Sequence, residues 1–92
     1  MKDPRDIRLE ALMDMWDQCS ANEERWAHLK RTPSEYMVIA MEELGEVARA
    51  MQGDGGEYQW PPVYSERVYE ELQDLGAVVL AMMVEVRRQT CP

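Results

Sequence analysis

Five carboxylates lie in two short clusters that are far apart in the sequence. The first cluster consists of Glu42, Glu43 and Glu46, and the second of Glu71 and Asp74. Both fall in segments with helical apolar spacing, and a helix brings residues three or four apart onto one face. Like charges placed in this way repel each other, so an isolated helix gains no stability from them. Facing each other, the clusters would form a cage of hard oxygen ligands suited to Mg²⁺, or alternatively to Mn²⁺.

Helix signals around the two clusters define the elements that must position them. The sequence predicts three helices, over about residues 3–29, 32–52 and 64–88. Asp3 before Pro4 is typical of a helix start, and Thr32 with Glu35 forms a capping box in front of the second helix. The polar stretch at residues 20–22 would divide the first helix in an alternative interpretation. The first acidic cluster then lies on the second helix, and the second cluster lies on the third.

Apolar residues at spacings of three and four form a stripe on the second helix and another on the third, which predicts that these faces pack into a core. The members are Met37, Met41, Leu44, Ala48 and Met51, joined by Ala40 and Val47, on the second helix, and Val68, Leu72, Leu75, Val79, Met82, Met83 and Val86 on the third. In this arrangement Leu44 anchors the first cluster in the core, and the carboxylates lie at its rim.

The segment from residue 76 to residue 84 is apolar around the whole helix and must be covered on all sides. Three helices from 92 residues can hardly cover it alone. The segment therefore predicts an oligomer interface, most simply in a twofold dimer or a dimer of dimers. Trp16 is expected to anchor the core or an interface. The predicted fold is a single all-α domain over residues 1–92, a bundle of three main helices whose core is completed by dimerisation.

The amino-acid composition indicates which binding partners and which cell compartment are expected. The net charge is −8, from 18 acidic and 10 basic residues, which argues against non-specific binding to nucleic acids or to anionic membranes. The longest apolar run is too short to span a bilayer, and the first residues lead into no apolar segment of a signal peptide. The chain has two cysteines, Cys19 and Cys91, and a reducing cytoplasm is the simpler interpretation.

Three other chemistries require residues that this sequence does not offer. A di-iron carboxylate bundle needs histidines three residues after glutamates, but Arg25 stands three residues before His28, the one histidine. A catalytic triad lacks a suitable histidine for the same reason. The glycine-rich stretch at residues 53–56 lacks the Lys-Ser/Thr pair of a phosphate-binding P-loop.

The two acidic motifs resemble those of the all-α nucleoside triphosphate pyrophosphohydrolases, the MazG-like superfamily. The resemblance rests on Ala40-Met41-Glu42-Glu43-Leu44-Gly45-Glu46-Val47-Ala48 and on Glu70-Glu71-Leu72-Gln73-Asp74-Leu75, and it covers about residues 33–86. Members of this superfamily cleave the α–β phosphoanhydride of a nucleotide to give a monophosphate and pyrophosphate. The phosphoribosyl-ATP pyrophosphohydrolases are less similar, because their aromatic residue and histidine after the second motif are replaced by residues 75–78.

The resemblance implies a role for each acidic residue. Glu43, Glu46, Glu71 and Asp74 would hold Mg²⁺, or Mn²⁺, and Glu42 would position or deprotonate the attacking water or bind an additional metal ion. A triphosphate is itself an anion that carboxylates repel, so a bridging cation is needed to join the two. This agrees with the cation cage expected from the spacing of the acids.

Basic and flat side chains are expected to hold the rest of the nucleotide. Arg67, one turn before Glu71, and Lys30 are the candidates for phosphate contacts. Trp26 and His28, near the end of the first helix, are the candidates for base contacts. The predicted activity is Mg²⁺-dependent hydrolysis of (d)NTP to (d)NMP and pyrophosphate in nucleotide-pool housekeeping, by a homodimer or homotetramer. The alternative is a non-catalytic acidic helical module that dimerises or binds nucleotide.

Overall fold

All secondary structure in the described part of the chain is α-helical. The computed structural model describes residues 2–27, 29–53 and 64–91. Within these ranges the chain forms α1 (Pro4–Trp26), α2 (Pro33–Gln52) and α3 (Glu66–Thr90), and no strand. The predicted all-α fold with three main helices is therefore confirmed.

The helices begin where local side-chain chemistry predicts. The hydroxyl of Thr32 accepts a hydrogen bond from the backbone N–H of Glu35 at 3.2 Å, and the Glu35 carboxylate accepts one from the Thr32 N–H at 3.3 Å. This confirms the capping box of α2. Asp3 caps α1, and the Ser65 hydroxyl caps α3 by accepting the Val68 N–H at 3.3 Å.

The helix ends lie close to the predicted ones: α1 ends at Trp26 instead of near residue 29, and α3 ends at Thr90 instead of near residue 88. α1 continues through residues 20–22 without a break, so the divided helix is not formed. α2 ends at Gly53, whose φ of 72° lies in the left-handed region that favours glycine.

α3 is the central element, because α1 and α2 each pack on it and do not pack on each other. α2 runs antiparallel to α3, since Glu43 faces Asp74 while Tyr36, near the start of α2, shares a cavity with Glu85, near the end of α3. α1 approaches α3 closely at Gly76, where a Cβ atom would lie 2.8–2.9 Å from the Met15 side chain. A cavity remains where the end of α1 and the start of α2 both lie beside α3.

The buried core of the single chain is small and differs from the predicted one. Its members among the described residues are Cys19, Val47, Ala50, Val68, Ala77 and Val78. Met41 and Leu44 of the predicted α2 stripe are 68% and 57% exposed, so the prediction that Leu44 anchors the core is wrong for this chain. Val47, a member of the predicted stripe, is buried together with Ala50, because α3 is the helix on which α2 packs and small side chains allow close approach.

The predicted apolar stripe of α3 is also buried only in part. Val68 is buried, but four other members are exposed, namely Leu72, Val79, Met83 and Val86. Within the segment predicted to need covering, Ala77 and Val78 are buried in the single chain. On α1, Trp16 is 66% exposed and does not anchor the core of the chain.

Candidate metal centre and adjoining cavity

Three of the predicted carboxylates converge from two helices. Glu43 on α2 and Glu71 and Asp74 on α3 each offer an oxygen, and these three oxygens lie within 4.8 Å of one another. All three side chains are half-buried at the contact between α2 and α3. Oxygens that share one octahedral Mg²⁺ lie roughly 3–4 Å apart, as metal–oxygen distances of about 2.1 Å require. Small side-chain rotations would therefore close these oxygens around one cation.

The electrostatics of this cluster favour a cation. Burial and the neighbouring carboxylates of Asp74 and Glu71, followed by those of Glu46 and Glu42, raise the pKa of Glu43. Burial and the charge of Glu70 raise the pKa of Asp74. Both shifts record that negative charge is unfavourable here without a counter-charge. A divalent cation would supply that charge.

Glu46 is placed differently from the other three predicted ligands. Its carboxylate forms an ion pair with Arg49 at 2.9 Å, one turn further along α2, and it is not one of the three converging residues. The pair is partly exposed, and such pairs contribute about 0.2–1 kcal/mol, so a cation could displace Arg49. Glu46 stays close enough to the cluster to raise the pKa of Glu43.

Glu42 and Arg67 lie on the solvent side of the cluster. Both side chains are exposed. Glu42 adds the smallest of the four carboxylate contributions that raise the pKa of Glu43, which agrees with a position at the rim. Arg67 precedes Glu71 by one helical turn, so it can approach an anion held at the cluster.

A cavity of about 540 Å³ begins one turn further along α3. Ala77 and Val78 form part of its wall and follow Asp74 by three and four residues, which is about 5 Å along the helix axis. The later turns of α3 as far as Arg88, the second half of α1, the connection to α2 and the start of α2 form the rest of the wall. The cavity brings together Trp26 and Lys30, two of the residues predicted to contact a nucleotide.

Several polar residues of the cavity wall were not selected from the sequence. They are Glu23, Tyr36 and Glu85. The position of Glu23, three residues before Trp26 on the same helix, was a usable signal for one of them. The others come from different elements, so no local pattern of residues indicates that they converge. The predicted contact of His28 with a base lies outside the described residues.

Comparison with protein-family models, curated proteins and solved structures finds no match for this chain. None of the described helices combines the length and the hydropathy needed to cross a membrane.

Proposed function

We propose that this protein is a Mg²⁺-dependent nucleoside triphosphate pyrophosphohydrolase that cleaves (d)NTP to (d)NMP and pyrophosphate. The observation that carries the proposal is the convergence of Glu43, Glu71 and Asp74 within 4.8 Å, one helical turn from a cavity lined by Trp26 and Lys30. A carboxylate cluster beside an aromatic and cationic cavity suits a ligand with a polyanionic end and a flat end. A nucleoside triphosphate has this chemistry.

The carboxylates of α2 and α3 have distinct roles in this proposal. Glu43, Glu71 and Asp74 hold Mg²⁺, or alternatively Mn²⁺, and Glu46 joins them when it leaves Arg49. The bound cation would neutralise phosphate charge and polarise the scissile phosphoryl group. Glu42, exposed at the rim, accepts a proton from the attacking water. The water oxygen bonds to the α-phosphorus, the bond from that phosphorus to the bridging oxygen breaks, and pyrophosphate leaves.

Residues beside the carboxylates position the rest of the substrate. Arg67 contacts the phosphates from the turn before Glu71, and Lys30 contacts them from the cavity side. Trp26, 41% exposed in the cavity wall, packs against the base. His28, which follows it closely in the sequence, remains the second proposed base contact.

The substrate experiment is a panel of ribo- and deoxyribonucleoside triphosphates, including modified bases, incubated with Mg²⁺. Pyrophosphate and orthophosphate are measured separately. We expect equal amounts of monophosphate and pyrophosphate from at least one member. Glu42→Gln is expected to abolish turnover while Mg²⁺ binding is retained, and the exposed Glu24→Gln on α1 serves as a matched control. Orthophosphate as the product, or no turnover across the panel, would contradict the proposal.

The proposed assembly is a homodimer or homotetramer in which a second copy completes the core. Support comes from the small buried core and from the apolar side chains that α3 leaves exposed, among them Val79 and Met83. The net charge of −8 supports a protein that does not bind nucleic acid. We propose the cytoplasm as its compartment and housekeeping of the nucleotide pool as its role.

One observation favours the non-catalytic alternative, an acidic module that dimerises or binds nucleotide. Glu46 pairs with Arg49 and does not join the three converging carboxylates. A protein that never binds Mg²⁺ would keep that pair. In that case Mg²⁺ would not raise the melting temperature, whereas the enzyme binds Mg²⁺ in the folded state and is stabilised by it.

A further inference from the structure

Two polar side chains of the cavity wall have no role in the proposed hydrolysis. They are Asn22 and Glu23 on α1, which precede Trp26 by four and three residues and therefore lie on the same side of the helix. We call them the polar pair. The cavity that they line has a volume of about 540 Å³, within the range of about 300–1,000 Å³ that is usual for small-ligand sites. The polar pair is thus placed where it can contact a bound molecule.

The Glu23 carboxylate lies on the cavity side of α1. Cys19, one turn earlier, is buried and forms part of the same wall. Burial, followed by the charge of Glu23, raises the pKa of the Cys19 thiol, so the carboxylate is close to this thiol. Among the described residues Glu23 forms no salt bridge, whereas Glu85 in the cavity wall pairs with Arg88 at 3.6 Å. Glu23 therefore offers the cavity a carboxylate whose oxygens can accept hydrogen bonds.

Asn22 is oriented as a donor. The Nε2 group of Gln18 donates a hydrogen bond to the Oδ1 atom of Asn22 at 3.0 Å, and this contact is partly buried. The amide oxygen of Asn22 is thus engaged within α1, and its Nδ2 hydrogens are left to donate toward a ligand. Since Asn22 and Glu23 are consecutive residues, the polar pair sets one donor beside one acceptor.

Two of the common bases carry the complementary pattern. Cytosine has an amino group at C4 beside the acceptor N3, and adenine has an amino group at C6 beside the acceptor N1. Uracil, thymine and hypoxanthine have a carbonyl oxygen in place of the amino group. That oxygen would face the Glu23 carboxylate with no hydrogen between them, and both acceptors would lose the hydrogen bonds that they make in water. The polar pair therefore disfavours a carbonyl group at this position.

The helices α1 and α3 run in the same general direction. Tyr69, near the start of α3, donates a hydrogen bond to Asp14 on α1. Further along both helices, Trp26 and Glu85 line the same cavity. The polar pair consequently lies beyond the carboxylates of the metal centre in the direction of the end of α3.

The distance from the metal centre to the polar pair suits a nucleotide. α1 contacts α3 where Met15 lies against Gly76, two residues after Asp74. Asn22 follows Met15 by seven residues, which is roughly 10 Å along the helix axis. A base is joined to its triphosphate through the sugar. A base at the polar pair therefore leaves room for the sugar between it and a triphosphate at the carboxylates.

We propose that the polar pair makes this site selective for nucleotides whose base is cytosine or adenine, through the amino group at pyrimidine C4 or purine C6. Glu23 accepts a hydrogen bond from that amino group, Asn22 donates one to the neighbouring ring nitrogen, and Trp26 packs against the face of the base. This selectivity rests on the proposed function, since the triphosphate has to be held at the carboxylates. It names the class of base, which the cleavage chemistry leaves open.

Two matched pairs of substrates test this selectivity, dCTP with dUTP and dATP with dITP. The members of a pair differ only in the amino or carbonyl group and in the protonation of the neighbouring ring nitrogen, the two groups that the polar pair contacts. We expect kcat/KM of the amino member to be at least about tenfold higher in one or both pairs, as loss of a hydrogen bond to a charged group predicts.

Two variants on α1 assign the selectivity to one carboxylate. In Glu23→Gln the amide can turn either to accept or to donate, so the ratio of kcat/KM values is expected to fall to about threefold or less. Glu24→Gln removes the same charge from the neighbouring residue, which is exposed and lies outside the cavity wall. This control is expected to keep the ratio of the parent.

Equilibrium binding with Mg²⁺ separates base selection from hydrolysis. The α,β-methylene analogues of the same four nucleotides have a carbon in place of the oxygen at the scissile bond, so their affinities are measured without turnover. Tighter binding of an amino member without hydrolysis of any triphosphate supports the base selectivity and contradicts the proposed function. Hydrolysis of both members of each pair at equal kcat/KM supports the proposed function and overturns the base selectivity. A ratio that Glu23→Gln leaves unchanged, or no binding of any of the four analogues, overturns it as well.

Discussion

Glu43 is the residue on which the proposed chemistry depends most. It is half-buried between α2 and α3 and faces two carboxylates from the other helix. Its raised pKa has two causes, burial and the like charges around it, and neither is compensated by a basic group among the converging residues. Such a cluster of carboxylates destabilises the fold unless it holds a cation. Cation binding therefore explains its presence better than a contribution to stability does.

The raised pKa values predict how pH changes the stability of the metal-free protein. The pKa values of Glu43 and Asp74 lie above their ordinary values of 4.5 and 3.8. The fold therefore favours the protonated forms. Their contribution to the free energy of unfolding is present below pH 3.8 and is lost as pH rises through the folded-state pKa values. Without Mg²⁺, Glu43→Gln is expected to be more stable than the parent at pH 7.

Urea denaturation at pH 7 and below pH 3.8 measures this difference. The gain from Glu43→Gln is expected to disappear at the lower pH, because the parent carboxyl is then protonated too. Glu24→Gln, at an exposed site on α1, should show no such change between the two pH values. A Glu43→Gln protein that is less stable than the parent at pH 7 would show that this carboxylate has a favourable partner.

Arg49 is predicted to limit the contribution of Glu46 to metal binding. Arg49→Gln removes the 2.9 Å ion pair and frees the Glu46 carboxylate. Breaking an exposed pair costs about 0.2–1 kcal/mol, so Mg²⁺ affinity should rise by up to about fivefold. Isothermal titration calorimetry measures the affinity. Adding Glu46→Gln to Arg49→Gln should abolish the gain, and an unchanged affinity in the single variant would exclude Glu46 as a ligand.

At the scale of the elements, α3 positions the other two helices, because both of them pack on it. α1 and α2 reach each other only through α3, and Gly76 is the point at which α1 lies closest to it. The Met15 side chain occupies the space that a side chain at residue 76 would need. The position of α1, and with it the cavity wall at Trp26, depends on this contact.

Gly76→Ala is predicted to destabilise the fold by about 1 kcal/mol. The new methyl group would lie 2.8–2.9 Å from Met15, and the overpacking outweighs the gain in helix propensity. In a Met15→Ala background the space is free, so the same substitution should become stabilising. A double-mutant cycle of unfolding free energies measures this reversal. The same sign in both backgrounds would mean that α1 does not pack at residue 76.

The elements also show which features a sequence can predict. The caps at Thr32 and Ser65 were predictable because each involves residues three apart in the chain. The buried face of α2 was predictable only in part, because Val47 of the predicted stripe is buried while Met41 and Leu44 are exposed, and the position of α3 decides which side of the stripe is covered. That Glu43 and Asp74 face each other was predictable from the helical spacing of the acids and from the resemblance to the MazG-like motifs. The ion pair of Glu46 with Arg49 was not predictable, because it depends on one side-chain conformation.

At the scale of the whole molecule, the acidic cluster lies at the contact of α2 with α3, and large apolar side chains of both helices remain exposed. Among them are Met41 and Leu44 on α2 and Met83 on α3. A chain of 92 residues buries little surface by itself, so association with a second copy is an expected remedy. The cavity that includes Trp26 and Lys30 lies at the end of the molecule where α1 ends and α2 begins.

The central claim is that two helices share one divalent cation through Glu43, Glu71 and Asp74. Calorimetric titration of Mg²⁺ into the parent and into Glu43→Gln, Glu71→Gln and Asp74→Asn tests it most directly. We predict one high-affinity site for each chain in the parent, at least a tenfold loss of affinity in each of the three variants, and no change in Glu24→Gln. Binding that is equally tight in all four variants, or no binding by the parent, would contradict the account.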